Sequence, residues 1–74
     1  MDKLLRNVIL KYSGIALESD KQNLLDLPVY EEVWVYIIIE LEEKHKLPML
    51  QVMEEINSSE FNLETICKKL ELAS

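Results

Sequence analysis

The stretch that decides the fold reads Asp26-Leu27-Pro28-Val29-Tyr30-Glu31-Glu32 and continues directly into Val33-Trp34-Val35-Tyr36-Ile37-Ile38-Ile39-Glu40-Leu41-Glu42-Glu43. Its centre is β-branched and aromatic, which by propensity alone favours a buried strand. The flanks favour a helix, because glutamates precede the centre and charged residues follow it without a turn residue. Two pairs have the i,i+4 order that stabilises helices: Glu40 with Lys44, and Glu42 with Lys46. We therefore predict a helix over residues 31–45.

Helical geometry divides this predicted helix into two faces. At about 100° per residue, one side gathers a set of mostly apolar residues: Trp34, Ile37, Ile38, Leu41 and His45. The other side gathers apolar residues between carboxylates: Glu32, Val35, Tyr36, Ile39 and Glu43. A small bundle buries the first set, so we expect the second to leave three apolar side chains near solvent.

The first helix is predicted at about residues 3–13, from an apolar stripe with helical spacing: Leu5, Val8, Ile9 and Tyr12. Gly14 follows it as a left-handed terminating residue. Residues 15–30 show no sustained period and contain Pro28. They are predicted to form a long ordered loop between the first two helices, a kind of loop that is uncommon in small domains.

Two further helices complete the prediction. Pro48 suits the first turn of a third helix, with three side chains expected to face inward: Leu50, Met53 and Ile56. The last helix has the clearest start signal, because Asn62 is a favoured N-cap and Phe61 can pack on Ile66 as a hydrophobic staple. Its stripe is Leu63, Ile66, Cys67 and Leu70. The sequence predicts a single all-α domain over residues 1–74, a bundle of three to four helices.

Composition narrows the classes of function. The chain has 74 residues, of which 49% are hydrophobic, and a formal net charge of −6 from 14 acidic and 8 basic residues. This balance argues against nucleic acid, which is bound mainly through Lys and Arg, and against anionic membranes. It suits protein partners with basic docking patches. A charge that serves only solubility is the alternative.

The cysteine count and the apolar runs bear on location. Cys67 is the only cysteine, so an internal disulfide is impossible. The longest apolar run, Val33–Ile39, is far shorter than the roughly 20 residues of a spanning helix. The first residues show no secretory pattern. We expect a cytoplasmic protein.

The Asp26-Leu27 pair, the apolar helix after it and its Leu41-Glu42-Glu43 end resemble the acyl carrier protein family. In that family an Asp-Leu pair leads to an Asp-Ser-Leu motif, whose serine carries the phosphopantetheine arm. Without gaps, the serine position falls on Glu31, the preceding aspartate on Tyr30 and the following leucine on Glu32. A carboxylate cannot form the phosphodiester that a hydroxyl forms, so we predict no cofactor.

The resemblance also implies a function for the second helix. Acyl carrier proteins present a mixed apolar and acidic face of this helix to partner enzymes, and Val35 and Ile39 fall on its apolar contact positions. Within the superfamily the chain is most similar to the acyl-carrier-related proteins of bacterial peptide-maturation cassettes. We expect a non-catalytic docking or scaffold protein for a biosynthetic enzyme. The predicted partner-binding residues are Glu32, Val35, Tyr36, Ile39 and Glu43. Two alternatives stay open: a genuine carrier modified at a non-standard site, and a self-associating module such as a homodimer.

Catalytic and metal chemistry has little support in the sequence. His45 with Glu42 at i−3 could chelate a metal, but further ligands at a convincing spacing are lacking, so a packed or capping histidine is predicted. Cys67 lies in an apolar stripe and is expected to be a small buried hydrophobe. No enzymatic role is predicted. Trp34 occupies a position where carriers often have a smaller residue. It either fills the space in which carriers shelter an acyl chain, or is an ordinary core tryptophan.

Overall fold

The computed structural model of this chain describes residues 1–73, and over that range every regular element is helical. The α-helices of this range are α1 (Asp2–Ser13), α2 (Glu31–Glu43), α3 (Met49–Glu54) and α4 (Leu63–Ala73). Short 3₁₀ turns lie at Leu24–Asp26 and Ser58–Glu60. The all-α prediction is therefore confirmed. The β-branched centre of α2 is helical because its ends favour a helix and one side of it packs in a bundle core.

The C-terminus of α1 and the N-terminus of α4 follow the predicted local signals. Gly14 terminates α1 in the left-handed region at φ 74°, and its N–H donates to the Leu10 carbonyl at 2.9 Å. Glycine adopts this conformation without the steric cost of a Cβ. At the start of α4, the Asn62 Oδ1 accepts from the Thr65 N–H at 2.8 Å. This bond satisfies one of the amide groups that a helix start leaves unpaired.

Each helix contributes to one core. The buried apolar residues are Leu5, Val8 and Ile9 of α1; Ile37 and Leu41 of α2; Met49 and Val52 of α3; Leu63, Ile66 and Leu70 of α4; and Leu17 and Leu24 of the segment between α1 and α2. The helical period places the buried residues of α1 and of α4 on one side of each helix. Other apolar side chains of these helices are exposed, among them Leu10 and Leu72.

The segment of residues 14–30 connects α1 to α2 and is held by contacts with α1 and with the start of α4. The Arg6 guanidinium donates to the Leu17 carbonyl at 2.6 Å and pairs with the Asp20 carboxylate. The Asp20 carbonyl accepts from the Glu64 N–H at 3.1 Å, at the start of α4. Leu24 is buried, and its N–H donates to the Phe61 carbonyl at 2.8 Å. These contacts hold the segment against α1 and α4.

Two details of the predicted faces are wrong. His45 is exposed rather than on the core side, because α2 ends at Glu43 and the chain turns through Lys46 at φ 57°. A residue beyond the helix end no longer follows the helical period. Leu50 is 55% exposed. Helix α3 has only six residues and turns Met49 and Val52 to the core, which leaves Leu50 outside.

Candidate protein-docking face

The five predicted partner-binding residues form what we call the α2 face: Glu32, Val35, Tyr36, Ile39 and Glu43. Its apolar members are Val35, Tyr36 and Ile39, which are 47%, 59% and 44% exposed. Its carboxylates, at either end, are also exposed. On the opposite side, Ile37 and Leu41 are buried, and Trp34 and Ile38 are half-buried against the core. The predicted exposure of the α2 face is thus confirmed, while its contact with a partner stays a prediction.

The N-terminus of α2 presents acidic groups to solvent. Tyr30 precedes the helix with an 80% exposed side chain, and its carbonyl accepts from the Val33 N–H at 3.0 Å. Glu31 and Glu32 occupy the first turn and are exposed. Carboxylates there are favourable because they lie at the positive end of the helix dipole. The position that the resemblance assigns to a modified serine therefore presents a carboxylate to solvent.

A buried carboxylate that the sequence analysis did not single out lies on α2, one turn after Tyr36. The Glu40 side chain is 8% exposed, and its Oε1 accepts from the Lys11 Nζ at 2.8 Å and from the Tyr12 hydroxyl at 2.6 Å. The Lys44 Nζ lies 3.8 Å from the same oxygen. The bond from Lys11, and next that from Tyr12, lower the pKa of Glu40 to about 2. Glu40 is therefore ionised at neutral pH and joins α1 to α2.

The same cluster places an aromatic ring of α1 beside the α2 face. The rings of Tyr12 and Tyr36 are stacked, with centroids 6.3 Å apart and planes inclined by 20°. The Lys11 Nζ lies 5.2 Å from the Tyr12 ring centroid. Donation to the Glu40 carboxylate raises the pKa of Tyr12, because ionisation of the phenol would remove this bond. The apolar surface of α2 therefore continues onto α1.

Local sequence signals pointed only indirectly to this cluster. Glu40 follows an unbroken apolar run, which marks it as a carboxylate close to a core. Its partners lie 28 and 29 positions earlier in the chain, beyond the reach of helical periodicity. Only the crossing of α1 and α2 brings these groups together.

A small apolar cavity lies among the helices near Trp34. It measures about 30 Å³, and Trp34, Met53 and Phe61 are among its lining residues. A cavity of roughly 10–15 Å³ holds one water molecule. This cavity therefore has room for a few waters and is too small for an acyl chain. The small volume agrees with the hypothesis that Trp34 fills the space in which carriers shelter an acyl chain. That hypothesis stays a prediction.

The structure also bears on the thiol of Cys67, on metal binding and on membrane spanning. Cys67 is half-buried in α4, and burial is the main cause that raises the pKa of its thiol, so the thiol is protonated at neutral pH. Within residues 1–73, no group of three or more His, Cys, Asp or Glu side chains is placed to hold a metal ion. Within the same range, no helix has the length and apolar character needed to cross a membrane.

Comparisons with known proteins give no independent assignment of the family. No family model, curated protein or solved structure matches this chain. The acyl carrier resemblance therefore depends on the residues that carry it, chiefly those between Leu25 and Glu43.

Proposed function

We propose that this chain is an acyl-carrier-type helical protein without a phosphopantetheine arm, and that it docks through its α2 face to an enzyme of a biosynthetic pathway. The observation that carries the proposal is the joint exposure of Val35, Tyr36 and Ile39 on one helix face between carboxylates. Scattered exposed apolar residues are common on soluble proteins, but contiguous apolar patches with a polar rim are typical of interaction sites.

The two kinds of residue on the α2 face have different roles in docking. Burial of the three apolar side chains by a partner would provide most of the affinity, with Tyr36 as the type of residue that often dominates an interface. Glu32 and Glu43 lie at the rim, where charge acts mainly on the rate of association. The net charge of −6 favours a partner surface with Lys and Arg around an apolar centre.

The absence of an arm follows, under this proposal, from Glu31. An exposed carboxylate at the start of α2 stands where the resemblance places the modified serine, and it offers no hydroxyl for a phosphodiester. The small cavity beside Trp34 points the same way, since a protein that carries no acyl chain has no need to shelter one. The peptide-maturation pathway is the narrower form of the proposal.

The experiment that tests docking is affinity capture from the native host, with proteins identified by mass spectrometry. The wild type is compared with a Val35→Glu, Ile39→Glu double variant. The matched control is a Leu25→Glu, Leu50→Glu double variant, which adds the same charge at positions that are 56% and 55% exposed elsewhere. We expect an identified biosynthetic enzyme to be captured by the wild type and the control and lost by the α2 variant. The captured enzyme is then purified and its binding is titrated directly.

Two measurements address the alternatives. An enzyme that binds the folded α2 variant as tightly as the wild type would contradict docking through this face. Sedimentation of the free protein over a wide concentration range tests self-association, and an α2-dependent dimer would replace the partner as the occupant of the face. An added mass corresponding to phosphopantetheine on the native protein would contradict the absence of an arm.

A further inference from the structure

The aromatic residue of the α2 face, Tyr36, is largely exposed although it has an aromatic neighbour on α1. Tyr12 stacks against Tyr36 from the side of α1, yet the Tyr36 side chain remains 59% exposed. A cation already lies beside the neighbouring ring, since the Lys11 Nζ is 5.2 Å from the Tyr12 ring centroid. Ammonium and guanidinium groups are attracted to the face of an aromatic ring by its quadrupole.

The position of the Tyr36 ring is supported from within the bundle. The Tyr12 hydroxyl donates to Glu40, which is held in turn by Lys11 of α1. Glu40 and Tyr36 belong to the same helix, one turn apart, so the contacts of Glu40 and the ring stack brace Tyr12 and Tyr36 together. A ring that is positioned before binding loses less conformational freedom when a partner docks.

Helical spacing places a carboxylate on the same side of α2 as the Tyr36 ring. Glu32 precedes Tyr36 by four positions on α2, a spacing that brings side chains together on a helix surface. Within the described residues, the ion pairs of the chain do not include Glu32. Lys11 of α1 and Lys44, directly after α2, are both paired with Glu40. Their charge is therefore directed to Glu40 rather than to Glu32.

We infer that Tyr36 and Glu32 form a binding site for an arginine side chain of the docking partner. This inference rests on the proposed docking function and specifies its chemistry. A planar guanidinium stacks on the exposed Tyr36 ring while its N–H groups donate to the Glu32 carboxylate. An ammonium group is a compact point charge without a planar face. The site therefore prefers arginine to lysine.

The test uses the isotope-labelled full chain and no partner protein. N-acetyl-argininamide and N-acetyl-lysinamide are titrated separately at low ionic strength while the NMR signals of the Tyr36 ring and the amides of residues 32–36 are followed. We expect saturable shifts, with the arginine derivative bound roughly two- to fivefold more tightly. Tyr36→Leu should lower the association constant for the arginine derivative by a similar factor. Tyr36→Phe, which keeps the ring, should retain it.

Matched variants separate this site from general attraction to an acidic protein. Tyr30→Leu removes another exposed ring, and Glu31→Gln removes the same charge one position away from Glu32. Both should leave arginine binding close to the wild-type value, whereas Glu32→Gln should weaken it. Far-UV circular dichroism establishes that each variant is folded. Equal affinity for the two derivatives, an unchanged constant in Tyr36→Leu, or no saturable shift would overturn the inference.

The outcome is distinguishable from that of the docking function. If the α2 double variant loses an identified enzyme while the arginine derivative does not bind at Tyr36, docking stands and the arginine site is overturned. If the arginine derivative binds but no enzyme depends on the α2 face, the arginine site stands as local chemistry and the proposed function fails.

Discussion

Glu40 is the residue at which packing and charge are most closely linked. Its carboxylate is nearly buried and is stabilised by Lys11 and Tyr12 of α1, so its ionised form contributes to the folded state. A buried acceptor with several donors is costly to replace, because the donors then lose their partner. Glu40 therefore adds a polar link between α1 and α2 to the apolar contacts of the core.

Glu40→Gln should weaken the folded protein at neutral pH, lowering the melting temperature by roughly 5–10 °C. The pKa of Glu40 is about 2 in the folded protein and 4.5 for a free glutamate. Its contribution to stability is therefore complete above pH 4.5 and is lost as the pH falls towards 2. Thermal melts from pH 7 to pH 2 should show this acid-dependent loss reduced in the variant. Parallel pH profiles of the wild type and variant would contradict the assignment.

At position 14, the backbone conformation and not a lack of space favours glycine. A Cβ at this position would meet no atom within 4 Å, but φ is 74°. Gly14→Ala should therefore cost about 1–2 kcal/mol, the strain of a left-handed conformation with a Cβ. Denaturant unfolding measures the change, and Gly14→Asn should cost less because Asn tolerates this region better. Equal stability of all three proteins would mean that α1 ends differently in solution.

At the scale of elements, the correct predictions came from local sequence signals. The faces of α2, the left-handed end of α1 and the Asn62 cap each depend on residues within a few positions, and each is present in the structure. The errors at His45 and Leu50 arose at helix ends, where a shift in a boundary changes which side chains face the core. The Glu40–Tyr12 contact could not be predicted, because it depends on how α1 crosses α2.

A charge reversal at Glu43 tests whether the carboxylates of the α2 face steer association. Glu43→Lys reverses a charge at the rim of the α2 face and should slow association with the captured enzyme on the order of two- to fivefold at low ionic strength. The dependence of the association rate on salt should also become flatter. Stopped-flow or surface-binding kinetics gives both quantities.

The control for Glu43→Lys is Glu54→Lys, an equal change of net charge at an exposed position in α3. If the two variants slow association equally, the overall charge rather than the α2 face steers the encounter. An unchanged association rate in Glu43→Lys would remove the carboxylate from the proposed docking mechanism.

At the scale of the whole molecule, the packing between helices determines whether there is room for a ligand. Trp34 lies on the core side of α2, half-buried, and lines the 30 Å³ cavity together with residues of the other helices. A short chain buries a modest share of its surface, so each large core side chain contributes a large fraction of the total stability. Under the hypothesis that Trp34 fills the space of an acyl chain, the indole and an acyl chain cannot occupy this space together.

Trp34→Ala should both destabilise the bundle and open it. We expect a loss on the order of 2–3 kcal/mol, below the range for fully buried aromatic residues because the indole is only half-buried. Denaturant unfolding followed by far-UV circular dichroism measures this loss. The control Leu50→Ala, at an exposed side chain, should change stability by less than about 0.5 kcal/mol. A fluorescent fatty acid should bind the variant and not the wild type. Binding by the wild type, with quenching of Trp34, would show that the indole does not replace an acyl chain.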